Sequence, residues 1–142
     1  MRHGSDVTLT SHSYMTTLAC TAADRLLGES IACEVIDLCS LAPLDLSTVC
    51  RSVAKTRALV TVEEGQITCG VGAEFACRVR EEVDDFRVTR LGAVAAPVSS
   101  NPVLEGASIP DTDRICGAVR ALLARDGIRR WETADAKEKT TT

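Results

Sequence analysis

Aromatic side chains are scarce in this chain: one Trp, one Tyr and two Phe among 142 residues. A core must therefore be assembled mainly from Val, Leu, Ile and Ala. No apolar run approaches the ~20 residues of a membrane-spanning helix. The start, Met1-Arg2-His3-Gly4-Ser5-Asp6, lacks the apolar stretch of a signal peptide. The first strand begins almost at once, as expected at the edge of a domain from a longer chain. Positive charge is not in excess, and the formal charge of −4 argues against nucleic acid, which requires a concentrated basic face. Only two histidines occur, His3 and His12, and no C-x-x-C pair exists among the seven cysteines, so no zinc-ligand spacing is present. The odd, evenly spread cysteines (20, 33, 39, 50, 69, 77 and 116) read as reduced thiols of an intracellular compartment, most of them small buried hydrophobes. Complete G-x-G-x-x-G and G-x-S-x-G motifs are also missing.

What is present is an alternation of apolar runs and amphipathic stretches. Asp6 to Thr10 reads as a first strand ending at Ser11-His12-Ser13. Met15, Leu18, Ala19, Ala22 and Leu26 recur at helical spacing, and Gly28 is expected to end that helix in the left-handed position. Ile31 to Leu38 is a second buried strand. A turn at Ala42-Pro43-Leu44-Asp45 leads to a helix capped by Asp45, with Leu46, Val49, Cys50 and Val53 on its apolar face. Ala58 to Val62 is short and β-branched, as in a strand covered on both faces. Glu63 and Glu64 follow, with Gly65 expected as the turn and Gly70 and Gly72 around the next helix start. Val71, Phe75, Val79 and Val83 form that helix's stripe. Phe86 to Leu91 is a fourth strand. Gly92 to Pro110 predicts an ordered loop with one short extra strand. Asp111 caps a last helix with Ile115, Val119, Leu122 and Leu123 inward. The pattern implies one α/β domain over residues 1–128, a three-layer α/β/α sandwich on a mostly parallel sheet of about five strands. Residues 129–142 read as a polar, disordered tail.

The chemistry-bearing residues give no self-contained active site. Gly70-x-Gly72 at a helix start suits either a phosphate cradle or close helix–sheet packing, and packing is preferred because the full motif is absent. Glu63-Glu64 suits an acid/base pair or, better, one cap or interface contact beside one solvated carboxylate. Cys69 precedes a helix N-terminus, a setting that can lower a thiol pKa, but no base is placed for it. Adjacent Ser11-His12-Ser13 cannot form a catalytic triad, so His12 is expected to hydrogen-bond at the strand end.

Six blocks carry a resemblance when taken in order. They are Asp6 to Ser13, Cys33 to Leu38 with Leu41 to Asp45, Ser52 to Thr56, Leu59 to Gly65, Gly70 to Glu74, and Ser108 to Pro110. Together they resemble the C-terminal, transketolase-C-type domain of the pyruvate dehydrogenase β subunit, the thiamine-diphosphate-dependent first component of its complex. The branched-chain 2-oxo acid relative, another thiamine-dependent enzyme, or a free-standing binding module are the alternatives.

The resemblance implies a heterotetramer with a pyruvate dehydrogenase α subunit and a second β subunit, docked on dihydrolipoyl acetyltransferase. Nucleic acid and membrane are not expected partners. Thiamine diphosphate and magnesium would bind elsewhere in the full enzyme, so no catalytic, cofactor or metal residue carries over, and this piece alone is expected to be inactive. It implies the mitochondrial matrix in a eukaryote or the cytoplasm in a bacterium. The corner Glu63, Glu64, Gly65, Gly70, Gly72 and Ala73 is expected at a subunit interface. Asp85, helped by Asp84, matches an aspartate that docks the acyltransferase together with the β subunit's terminal carboxylate. The chain departs at Arg90 to Pro97, where the family's Asp is lost, and in its extension past the family's usual end.

Overall fold

The computed structural model describes residues 2–97 and 100–124. The expected polar tail lies outside them. Four strands form one sheet in the order β2-β1-β3-β4, every neighbouring pair parallel. They are β1 (Val7–Ser11), β2 (Cys33–Asp37), β3 (Ala58–Gln66) and β4 (Arg87–Ala93). The count among the described residues is four strands rather than about five. In place of the extra strand, the Gly92 to Pro110 segment holds a short helix, α4 (Pro102–Ser108). Asn101 caps it by accepting from the Val103 N–H at 2.9 Å, and Pro102 sits where a missing N–H costs nothing.

Strand alternation divides the sheet's two faces. Val7 and Leu9 of β1 and Ala58, Val60 and Val62 of β3 share one core with α1 (Tyr14–Leu27) and with the last helix, α5, over 112–124. Met15, Ala19, Ala22 and Leu26 meet Ile115, Val119 and Leu122 there, as their spacing predicts. On the other face, α2 (Leu46–Thr56) and α3 (Val71–Glu82) cover Ile36, Leu59 and Phe86 with Val49, Val53, Phe75 and Val79. The result is the three-layer α/β/α arrangement.

That second face also carries a polar row the apolar pattern does not reveal. Thr8 lies 2.7 Å from the Ser52 hydroxyl and 2.8 Å from that of Thr56, all three buried. Ser52 in turn donates to Glu34 at 2.5 Å. The helix α2 is therefore fixed to β1 by hydrogen bonds as well as by its valines.

Several local expectations are corrected. Gly28 is right-handed, and the left-handed residue after α1 is Ser30, two positions later. Gly65 is no turn: β3 runs on to Gln66, with a register irregularity between Val62 and Gln66. The turn follows, with Cys69 at φ 59°. The cysteines are all free, but only Cys33 and Cys116 are buried. Cys39, Cys69 and Cys77 are exposed, because the first two sit on loops and the third on the outer side of α3. Burial pushes the Cys33 thiol up to about 12, so it stays protonated at neutral pH.

Phe75 is fully buried between α2 and the sheet. Phe75→Ala is expected to cost about 3–5 kcal/mol in urea unfolding, whereas Val88→Ala on the exposed side of β4 stays within about 0.5 kcal/mol.

Candidate subunit-contact site

Connections leave β1 and β3 in opposite directions, β1 toward β2 and β3 toward β4. Their carboxyl ends therefore border the switch point where open α/β sheets place their contacts. Glu63 stands there, 3% exposed, and its side chain turns into the fold. The N–H groups of Val71 and Gly72 donate to its Oε2 and Oε1 at 2.9 and 3.0 Å. These are among the N–H groups that the first turn of α3 leaves without intrahelical partners. Gly70, the preceding residue, offers no side-chain cap, so the cap comes from the neighbouring strand.

The glycines are required by this contact. A Cβ on Gly70 would lie 2.5 Å from Glu63 Oε1 and from the Gln66 carbonyl. One on Gly72 would strike the Thr61 hydroxyl and come within 2.8 Å of Glu63 Oε1. Close helix–sheet packing explains the pair, and the carboxylate fills the place a phosphate would take. Of the paired acids, Glu63 is the cap and Glu64 is exposed.

The structure brings the corner residues together and sets the aspartates apart. Glu64 and Gly65 are exposed, Gly70 and Ala73 half-buried and Gly72 buried. Asp84 and Asp85 lie exposed at the opposite edge of the sheet, before β4 begins. There Arg57 donates to the Asp84 carbonyl at 2.8 Å, and its own carbonyl accepts from the Arg87 N–H at 3.1 Å. Asp85 takes a left-handed φ of 50° within that clamp. His12 does not make the expected bond through Nδ1, which is buried with no partner among the described residues. Its neighbour Ser11 donates to Thr16, which donates to Asp37.

A further surface had no sequence signal of its own. Seven large hydrophobic side chains are exposed among the described residues, and five of them follow a strand's carboxyl end: Tyr14, Leu41, Val94, Val103 and Leu104. Val103 is 78% and Leu104 57% exposed, both on α4. They lie in a stretch without periodicity, so no sequence pattern marks their outward face. Among the described residues no group of three or more His, Cys, Asp or Glu side chains could hold a metal ion.

The family model for the transketolase C-terminal domain matches residues 1–115. The chain belongs to that family. Other transketolase C-terminal domains to which it is similar come from pyruvate dehydrogenase E1 component β subunits. The pea mitochondrial subunit is 43% identical over 122 residues, covering 84% of this chain and 34% of the pea protein. The rice mitochondrial subunit beta-2 is 40% identical, covering 84% of this chain and 32% of its own length. That of Rickettsia felis is 38% identical, covering 84% and 38%. The chain thus spans about a third of the length of the curated relatives it matches. A solved structure, described as a split-gene transketolase in an inactive β4 tetramer, aligns at TM-score 0.78 and 31% identity. It covers 87% of this chain and 41% of that one.

Within this transketolase C-terminal domain, Glu63→Gln keeps the size of the cap but faces an amide N–H₂ toward one of the two N–H groups. It is expected to lower stability by about 1–3 kcal/mol, read as a reduced urea midpoint with unchanged slope. A wild-type midpoint would show that the two amides do not depend on the carboxylate.

Proposed function

We propose that this chain forms the C-terminal domain of a pyruvate dehydrogenase β subunit, joining subunits and docking the acyltransferase core while taking no part in bond making. The identity to those β subunits over 84% of the chain supports the assignment. The observation that carries the assembly role is that five exposed large apolar side chains follow strand carboxyl ends, the end of the sheet where Glu63 is already satisfied within the fold. Apolar side chains exposed along one end of a sheet are what an interface core draws on. The partners on this reading are an α subunit, a second β subunit and dihydrolipoyl acetyltransferase. Localisation follows the relatives, mitochondrial in plants and animals or within the bacterial cell.

Thiamine diphosphate, the cofactor the resemblance implies for the whole enzyme, does not fit the residues at the start of α3. Glu63 already takes the amides of Val71 and Gly72, and its charge would repel a diphosphate. No step of the reaction is assigned to this chain. Its contribution is to hold surfaces in place.

Gly72 is buried against Thr61 and Glu63, so a bulky residue there reports on folding before assembly. Exposed positions separate the two. Val103→Glu with Leu104→Glu is expected to weaken association with co-expressed α and full-length β subunits at least tenfold by analytical ultracentrifugation. The same pair leaves the unfolding midpoint of the isolated chain unchanged. Assembly equal to wild type would remove α4 from the interface.

Asp84 and Asp85 are assigned to acyltransferase docking on the same reading. Neither carboxylate has a salt-bridge partner among the described residues, and the Arg57 clamp holds the backbone of the turn that carries them. Asn tolerates a left-handed φ, so Asp85→Asn keeps the turn while removing the charge. It is expected to lower affinity for the acyltransferase's subunit-binding domain at least tenfold and flatten its salt dependence. Unchanged affinity and salt slope would leave Asp85 a surface turn residue.

A further inference from the structure

The sheet's edge strand β2 is left partly open on the face that α2 and α3 cover. Helix α2 packs over β1, β3 and α3, so Glu34 and Ile36 of β2 form the floor of a cleft of about 320 Å³. One wall is the row of α2 on its β2 side, Thr48, Arg51, Ser52 and Lys55, spaced so that one helix face presents all four. Arg2 and His3 form the other wall.

The charges in this cleft do not cancel. Glu34 accepts from Ser52 at 2.5 Å and from Lys55 at 2.6 Å. Burial would raise its pKa, but the hydrogen bonds from Lys55 and Ser52 outweigh that and hold the carboxyl below its usual range. The Lys55 charge is thereby used within the fold, and Arg2 pairs with Asp24. Arg51 is different. Among the described residues its guanidinium donates to two neutral hydroxyls of its own helix, Thr48 at 3.0 Å and Ser47 at 3.4 Å, and makes no ion pair. The Asp45 carboxylate at the helix start is the acid that feels its charge. Across the cleft the His3 ring is fully exposed, with Nδ1 3.7 Å from Glu34 Oε1 and the rest of the ring open to solvent. Three permanent cations and a histidine thus surround one carboxylate, in a chain whose formal charge is −4.

We propose that this cleft binds a small oxyanion, a phosphate or carboxylate group gripped by the Arg51 guanidinium and the His3 ring. A guanidinium fork matches either oxyanion with two parallel N–H donors. The volume suits a small ligand, and Ile36 on the floor offers apolar contact to the carbon part of an ester or acid. The site lies away from the carboxyl-edge patch and from Asp84-Asp85, so it does not rest on the subunit reading.

The test is a titration of the ¹⁵N-labelled full chain at constant ionic strength, with inorganic phosphate in one arm and acetate in the other. The expected result is saturable shifts at the Arg51, Ser52 and His3 amides in at least one arm, with the stronger arm naming the oxyanion. Arg51→Gln, at an exposed position, should leave the unfolding midpoint unchanged and weaken that binding at least fivefold. Arg51→Lys, which keeps the charge and loses the fork, should fall between. No saturation in either arm, or equal binding by Arg51→Gln, would overturn the assignment.

Discussion

A buried carboxylate on the central strand governs how the rest of the carboxyl edge is arranged. Taking Glu63 out of water is costly unless its oxygens are hydrogen-bonded. Two amide N–H groups at the positive end of α3 meet that requirement and gain an anion to cap them. The contact draws the helix so close to β3 that only glycine fits at positions 70 and 72. It also requires the chain to double back after Gln66, which it does through a left-handed Cys69. The consequence for function is direct. A corner that looks like an anion cradle in sequence is closed by the protein's own anion, and what remains available to partners is the surface around it.

The two faces of the sheet are built on different principles. The α1–α5 side is mainly apolar, with valine, leucine and alanine alternating inward from β1 and β3 and the buried Ser11 bonded to Thr16 of α1 at the carboxyl end. The α2–α3 side is partly polar: Thr8, Thr10, Thr61 and Glu63 all point into it from the two central strands. Thr8 is satisfied through Ser52 and Thr56, and Glu63 through α3, but the hydroxyls of Thr10 and Thr61 have no partner among the described residues. Apolar packing tolerates sliding along a helix axis, whereas a hydroxyl pair at 2.7 Å does not. The polar row therefore fixes α2 along β1. That placement in turn sets how much of β2 the helix leaves open, and so creates the cleft beneath Arg51.

Wherever periodicity was strong, the elements were legible in the sequence. The stripes Met15–Leu26, Phe75–Val83 and Ile115–Leu122 mark helices that bury those residues, and Asp45 and Asp111 cap as their positions suggest. The Glu63 to Ala73 corner was half legible: two glycines before an amphipathic run indicate close packing, but nothing local says that the capping acid lies seven residues before the first of them. Loops failed for a related reason. Gly28 and Gly65 have the right chemistry for left-handed turns, yet tertiary pairing places those turns at Ser30 and Cys69. Ser52 and Thr56 look like a solvated helix face until Thr8 is brought beneath them. The extra strand expected between Gly92 and Pro110 became α4, since Asn101-Pro102 is a helix-start signal that a search for alternation overlooks.

The amino and carboxyl edges of the sheet differ in character, and this bears on assembly. The carboxyl edge carries five of the seven exposed large apolar side chains among the described residues, while the amino edge carries Glu81, Glu82, Asp84 and Asp85 in nearly continuous sequence, all exposed. Two acids in the last turn of α3 oppose the helix dipole, so local helix stability does not account for them. A parallel sheet makes such segregation possible, because every strand ends on one side and every connection returns to the other. Under the proposed subunit role, an apolar contact at one edge and an electrostatic one at the other do not compete for surface. The first would be persistent, as apolar interfaces are, and the second salt-sensitive and exchangeable. On that proposal a domain between a permanent enzyme core and an acyltransferase scaffold would need that pairing of properties, and strand direction alone would separate them.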